Sequence, residues 1–162
     1  MPTGVTDDYT GRTIDLESLQ TVENIAGVTP LALTLRENGL SRHITGIQKL
    51  AQRYATLLLT QQSTVGYDAL QGANFIGPAT SGQIANSANL AHFFNVANFQ
   101  VIRQLQQEDN NTKLGALPPD DERIRTAKLV DFEVNEFEGT LSIKVALTTL
   151  AGDNYIYVLP GI

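Results

Sequence analysis

The sequence predicts an α+β fold: a small antiparallel sheet of three or four strands packed against two helices, with an extended N-terminal arm. Residues 123–160 alternate apolar and polar side chains with a period of two, the mark of strands with one buried face. Residues 45–61 and 86–107 repeat apolar residues at steps of three and four, the mark of amphipathic helices. Residues 1–28 do neither, which divides the chain into an arm over 1–28 and one domain over 29–162, with the meander at 123–160.

The arm holds five acids, Asp7, Asp8, Asp15, Glu17 and Glu23, against one base, Arg12. Its apolar residues Ile14, Leu16, Leu19, Val22 and Ile25 are too many for a tail that stays in water. It is therefore read as lying on a partner or on the domain surface, against the plainer reading of a frayed terminus. Leu31, Leu33 and Leu35 alternate, so residues 30–36 read as a short strand.

In the first helix, Ile47, Leu50, Ala51, Tyr54, Leu57 and Leu58 form one stripe. Thr45, with Gln48 three residues on, fits a capping box that would satisfy orphan donors at the helix start. The second helix carries Leu90, Phe93, Phe94, Ala97, Val101 and Leu105 on one face. Residues 62–85, rich in Gln, Ser, Thr, Gly and Asn, read as a long loop. Loops of that length are often functional; an ordered loop packed on the core through Phe75 and Ile76 explains the segment equally well. Residues 109–119 form a second loop, ending in Pro118-Pro119 and the acidic turn Asp120-Asp121-Glu122-Arg123.

The first meander strand puts Ile124, Val130, Phe132 and Val134 on the buried face and Arg125, Asp131 and Glu133 on the other, with Leu129 breaking the pattern. Residues 135–139 read as a hairpin loop. Leu141, Ile143, Val145 and Leu147 then share the inner face of a second strand, opposite Ser142, Lys144 and Thr148. A turn at 151–154 leads to Tyr155-Ile156-Tyr157-Val158-Leu159, a strand stopped by Pro160.

Hydrophobic residues make up 42% of the 162, enough for a real core. Eleven bases against 17 acids give a net charge of −6, which argues against a nucleic-acid-binding surface. The charge is uneven: residues 29–107 hold five bases against two acids, and residues 108–162 hold ten acids against five bases. With no cysteine there is no disulfide framework and no thiolate metal or redox site. Met1-Pro2-Thr3-Gly4 lacks the basic-then-apolar start of a signal peptide, and Leu57-Leu58-Leu59 is too short to cross a bilayer.

Nothing in the sequence builds a catalytic centre, and no cofactor or metal is expected. Asp120, Asp121 and Glu122 lie on one turn, repel one another and face water; a glycosidase needs two carboxylates across a sugar. His43 and His92 are the only histidines. The first reads as a polar residue where the helix starts, the second as flanking Phe93-Phe94, and no triad forms around either. The pairs Asp7-Asp8 and Asp120-Asp121 alone do not make a metal site.

The order helix, loop, long helix, acidic-Arg turn and strand meander resembles the baseplate wedge, or sheath-initiator, family of contractile-tailed phages, with relatives in contractile injection systems including type VI secretion. The resemblance spans about residues 44–160. Gly46 to Thr60, with Leu57-Leu58-Leu59-Thr60, is similar to the family's early helix and its Leu-Leu-Thr-like end. Gly66-Tyr67 and Gly72-Ala73-Asn74-Phe75 stand where the family has a Gly/Tyr-rich loop. The family's Glu-Pro-Arg-apolar signature corresponds to Asp121-Glu122-Arg123-Ile124, with Glu122 in place of the proline.

The resemblance implies a structural virion protein of the tail baseplate, assembled in the host cytoplasm. It would connect wedge subunits around the tail tube and template the first sheath ring by strand addition. The implied partners are other wedge subunits, tail tube and tail sheath proteins, with about six copies per ring closed by rotational symmetry, and neither nucleic acid nor membrane. The implied partner-binding residues are Asp121, Glu122, Arg123 and Ile124 at the turn and Tyr155, Ile156, Tyr157, Val158 and Leu159 at a sheet edge. Arg123 would either fork onto a carboxylate or carbonyls of the wedge bundle or form an internal salt bridge to Asp121 or Glu122. The alternative class is an independent ligand- or receptor-binding module, or another tail adaptor protein.

Overall fold

A computed structural model describes residues 15–16, 20–21, 31–32, 43–66, 68–84, 86–111, 117–135 and 140–159. Four two-residue strands come first: β1 (Asp15–Leu16), β2 (Gln20–Thr21), β3 (Leu31–Ala32) and β4 (His43–Ile44). Then come α1 (Gly46–Leu59), α2 (Ile76–Thr80), α3 (Ser87–Asn110), a 3₁₀ turn at Asp120–Glu122, β5 (Ile124–Asn135), β6 (Thr140–Thr149) and β7 (Asn154–Leu159). The fold is α+β, as expected, with a three-stranded antiparallel meander in the order β5-β6-β7.

β1 pairs with β4, and β2 with β3, both antiparallel. These pairings tie two short pieces of the expected arm to residues 43–44 and 31–32 of the same chain. The rest of the arm, the remainder of the strand expected over 30–36, and the hairpin loop at 136–139 lie outside the described residues.

The central strand β6 alternates strictly, burying Leu141, Ile143, Val145, Leu147 and Thr149. Over this face α3 lies against β5, α1 lies against β7, and the two helices pack on each other. The core comprises Leu50, Tyr54 and Leu58 from α1, Leu90, Phe94, Val101 and Leu105 from α3, and the inner faces of β6 and β7. Burying each Leu or Phe contributes about 1.5–3 kcal/mol. A hydrogen-bonded relay joins three elements: Tyr54 on α1 donates its hydroxyl to Asn98 Oδ1 of α3 at 2.8 Å. Asn98 Nδ2 in turn donates to the Ala127 carbonyl of β5 at 2.9 Å. Burial pushes the Tyr54 phenol well above its ordinary pKa, so it stays a donor.

The first meander strand departs from the expected phase. The β5–β6 register slips between Ile124 and Thr126 and again between Leu129 and Asp131, so Arg125 and Val130 are bulge residues. Each bulge inserts one unpaired residue and flips the alternation after it. Leu129, opposite Val145, therefore faces inward, and Val130, expected in the core, is exposed. Val134 keeps the inner register opposite Leu141 but is 52% exposed, at the end of the sheet.

The described residues of the 62–85 segment hold α2 and pack on the core. Phe75 is fully buried and meets Phe94 edge-on at 6.2 Å. Glutamines of α3 clamp the backbone: Gly72 N–H donates to Gln104 Oε1 at 2.9 Å, and Gln104 Nε2 donates to the Gly72 carbonyl at 2.6 Å. Asn74 N–H donates to Gln100 Oε1 at 3.2 Å. Gly72 has φ +95°, and a Cβ there would overlap the Thr60 carbonyl. Gly72→Ala is expected to destabilise the domain by about 2 kcal/mol in urea unfolding.

Across the outer sheet face, Lys144 Nζ lies 3.2 Å from the Asp131 carboxylate. The Lys144 hydrogen bond, a further one from the Phe132 N–H and the Lys144 charge lower the Asp131 pKa. The carboxylate's contribution to stability is therefore present above its unfolded pKa and lost as pH falls through its depressed folded pKa. NMR titration of the Asp131 carboxyl is expected to show a midpoint below the ordinary Asp range, returning toward it in Lys144→Met.

Candidate assembly interface

The turn between α3 and the sheet begins at Pro118-Pro119, whose fixed φ delivers the chain into the 3₁₀ turn. Glu122 N–H donates to the Pro119 carbonyl at 2.9 Å. The β6–β7 turn hangs on the same junction: Leu150 N–H donates to the Arg123 carbonyl at 3.0 Å, and Ala151 N–H to the Asp120 carbonyl at 3.2 Å. The turn residues and the start of β7 are thereby held at one end of the sheet.

The four junction residues divide by direction. Glu122 is 1% exposed and Ile124 2%. Asp121 is half-buried. Arg123 is half-buried and pairs with Asp120 at 3.2 Å, not with Asp121 or Glu122. A cavity of about 270 Å³ opens beside it, lined by Gln106, Asp109, Asn110, Arg123, Ile124 and Leu150.

The Glu122 carboxylate sits at the start of α1. Gly46 N–H donates to its Oε1 at 3.3 Å, and Lys49 Nζ lies 3.5 Å from its Oε2. A helix N-terminus exposes unsatisfied N–H groups and a partial positive charge, so a carboxylate there is stabilised. The expected capping box does not form: Thr45 occupies the N-cap but its side chain makes no capping bond. Glu122, distant in sequence, supplies an acceptor instead. Gly46, with φ +58°, turns the chain into the helix in the left-handed region where only glycine is unstrained.

From the middle of α1, Arg53 bridges Glu108 at 2.9 Å and Asp109 at 3.0 Å. Two acids in the last turn of α3 oppose its dipole, and Arg53 offsets them. Burial works to lower the Arg53 pKa, but the hydrogen bonds and charges of Glu108 and Asp109 outweigh it and hold the guanidinium charged. A second cavity, about 370 Å³, lies here between Asp15, Gln52, Arg53, Thr56, Leu57, Gln71 and Glu108. The sequence reading missed this cluster; acids at a helix C-terminus were the signal that a compensating cation was needed.

The edge strand β7 also divides. Tyr157 and Leu159 are buried and Tyr155 is half-buried, while Ile156 and Val158 stand on the outer face, 61% and 37% exposed. Of the nine residues expected to bind partners, Glu122, Ile124, Tyr157 and Leu159 thus commit their side chains to the interior. Arg123, Ile156 and Val158 present side chains outward. His43 is exposed in β4, and His92 is exposed with its ring 5.7 Å from that of Phe93. Among the described residues no group of three His, Cys, Asp or Glu side chains is spaced to hold a metal ion, and no helix is long and apolar enough to cross a membrane.

Glu122→Ala is expected to cost about 3 kcal/mol in urea unfolding, because it strips a buried acceptor from Lys49 and Gly46. Glu122→Gln, which keeps the volume and an acceptor, should cost about half as much; equal stability of all three proteins would refute the capping role. No protein-family model, curated protein or solved structure matches this chain.

Proposed function

We propose that this protein is a structural component of a contractile-tail baseplate, joining wedge subunits around the tail tube and templating the first tail-sheath ring by strand addition. The observation that supports this most directly is the asymmetry of the meander. β5 and β7 are the outer strands. β5 is broken by two bulges, which disrupt a ladder and blunt an edge. β7 pairs with β6 over six residues without a register shift. A short, regular edge strand offers backbone N–H and C=O groups to an incoming strand. Beside its start, Arg123 faces a cavity with only one of its guanidinium nitrogens engaged by Asp120. A partner carboxylate or carbonyl there would take the free side of the fork.

In this reading Glu122, Ile124, Tyr157 and Leu159 hold the docking surfaces in shape, and Arg123, Ile156 and Val158 with the β7 backbone make the contacts. The partners are wedge, tube and sheath subunits in the virion tail. The role is structural and non-enzymatic. A second reading, an independent ligand-binding module, draws on the cavity beside Arg53, where Gln71 Oε1 is buried without a hydrogen-bond partner.

Co-expression with sheath and wedge subunits of the same genome, followed by co-purification and mass measurement, separates the two. A stoichiometric complex is expected, lost in Arg123→Ala and in the edge-charging pair Ile156→Lys and Val158→Lys. Arg123→Ala should change the stability of the isolated domain by less than about 1 kcal/mol, since its ion pair to Asp120 is largely solvated. A stable monomer that ignores both partners would sink the baseplate reading.

A further inference from the structure

The turn between β6 and β7 fixes which backbone groups of β7 point out of the sheet. Thr149 N–H donates to the Asp153 carbonyl at 3.0 Å, and Gly152 N–H to the Thr149 carbonyl at 3.1 Å. Thr149 and Asp153 therefore face each other as a hydrogen-bonded pair, and such pairs recur at every second position of an antiparallel ladder. In the β6–β7 register they fall at Leu147–Tyr155, Val145–Tyr157 and Ile143–Leu159. Tyr155, Tyr157 and Leu159 thus direct their N–H and C=O groups to β6, while those of Asn154, Ile156 and Val158 point away from the sheet. Among the described residues no strand lies beyond β7. Soluble chains blunt such an edge with a charge, a proline or a bulge. β5 has two bulges and the charged residues Arg125, Lys128, Asp131 and Glu133. Asn154 to Leu159 has no charge, no proline and no register shift.

We infer that β7 pairs with β7 of a second copy of this chain, antiparallel about a two-fold axis through Tyr157. This register sets Ile156 against the partner's Val158, and Val158 against the partner's Ile156. The outward groups of both strands then meet as hydrogen-bonded pairs, about two bonds to each pair. The strip across the outer face runs Lys128, Ala146, Ile156, then the partner's Val158, the partner's Lys144 and the partner's Asp131. Its centre is aliphatic, its ends are charged, and no like charges stand opposite each other, as an interface requires. The other two-fold register, through Ile156, would oppose the amide of Asn154 to the aliphatic Val158. The acidic segment over residues 1–28 of the same chain is a poorer occupant. β7 offers it no cation, and Lys144, opposite Val158, already holds Asp131. The pairing is a property of the free chain and does not rest on the baseplate reading; under that reading an incoming strand would displace it.

The test exploits a chain without cysteine. Ile156→Cys mixed with Val158→Cys is expected to give disulfide-linked dimers on mild oxidation, because facing residues lie about 5.5 Å apart at Cα. Either variant alone should give about tenfold less, since its two cysteines would lie about 7–8 Å apart on a diagonal. Sedimentation of the unmodified chain should show a monomer–dimer equilibrium that Ile156→Lys with Val158→Lys shifts to monomer. Amide exchange at Ile156 and Val158 should slow as concentration rises, with Tyr157 protected throughout. Thermal melts of the variants would check that these exposed substitutions leave the fold intact. A monomer at every concentration would overturn the inference, as would cross-linking by Ile156→Cys alone. So would concentration-independent protection of Ile156 and Val158, because a segment of the same chain would then cover the edge.

Discussion

The arrangement of helices on sheet depends on one buried carboxylate. Glu122 leaves the 3₁₀ turn that precedes β5 and ends at the first turn of α1, where Gly46 and Lys49 meet it. A charge so deeply buried is costly unless it is met by donors and opposite charge. The site supplies a backbone N–H, an ammonium and the positive end of a helix. The requirement also works in reverse. The contact ties the start of α1 to the turn that enters the C-terminal meander.

Other polar contacts do comparable work between layers. The relay from Tyr54 through Asn98 to Ala127 fixes α1, α3 and β5 against one another. Gln100 and Gln104 project from successive turns of α3 and take up the backbone of residues 72–74. Neutral amides suit this task because each carries both donor and acceptor capacity and needs no counter-charge. Arg53, from the middle of α1, holds the last turn of α3 through Glu108 and Asp109.

That rigidity would matter for the assembly role proposed above. A surface that recognises other chains loses less on binding when it is already ordered. In that proposal the bulges that turn Arg125 and Val130 out of the ladder would blunt β5, and the regular pairing of β7 would make it the accepting edge.

The sequence by itself determined the elements and most of the core. The 3.6-residue repeat marked both long helices, and Leu50, Tyr54, Leu90, Phe94 and Leu105 are buried as their spacing requires. Period-two alternation marked three strands and their order, because burying one face of a strand leaves its imprint on every second residue. Tertiary structure decided what spacing cannot encode. Thr45 and Gln48 had the local pattern of a cap, yet Glu122 met the helix start. The phase of β5 flips at Val130 because a bulge is set by the partner strand, not by the strand's own sequence. Arg123 pairs with Asp120 and not with the adjacent Glu122, which is committed inward to the start of α1. Long-range polar pairing and register are properties of two segments at once, and a single segment's pattern carries only half of each.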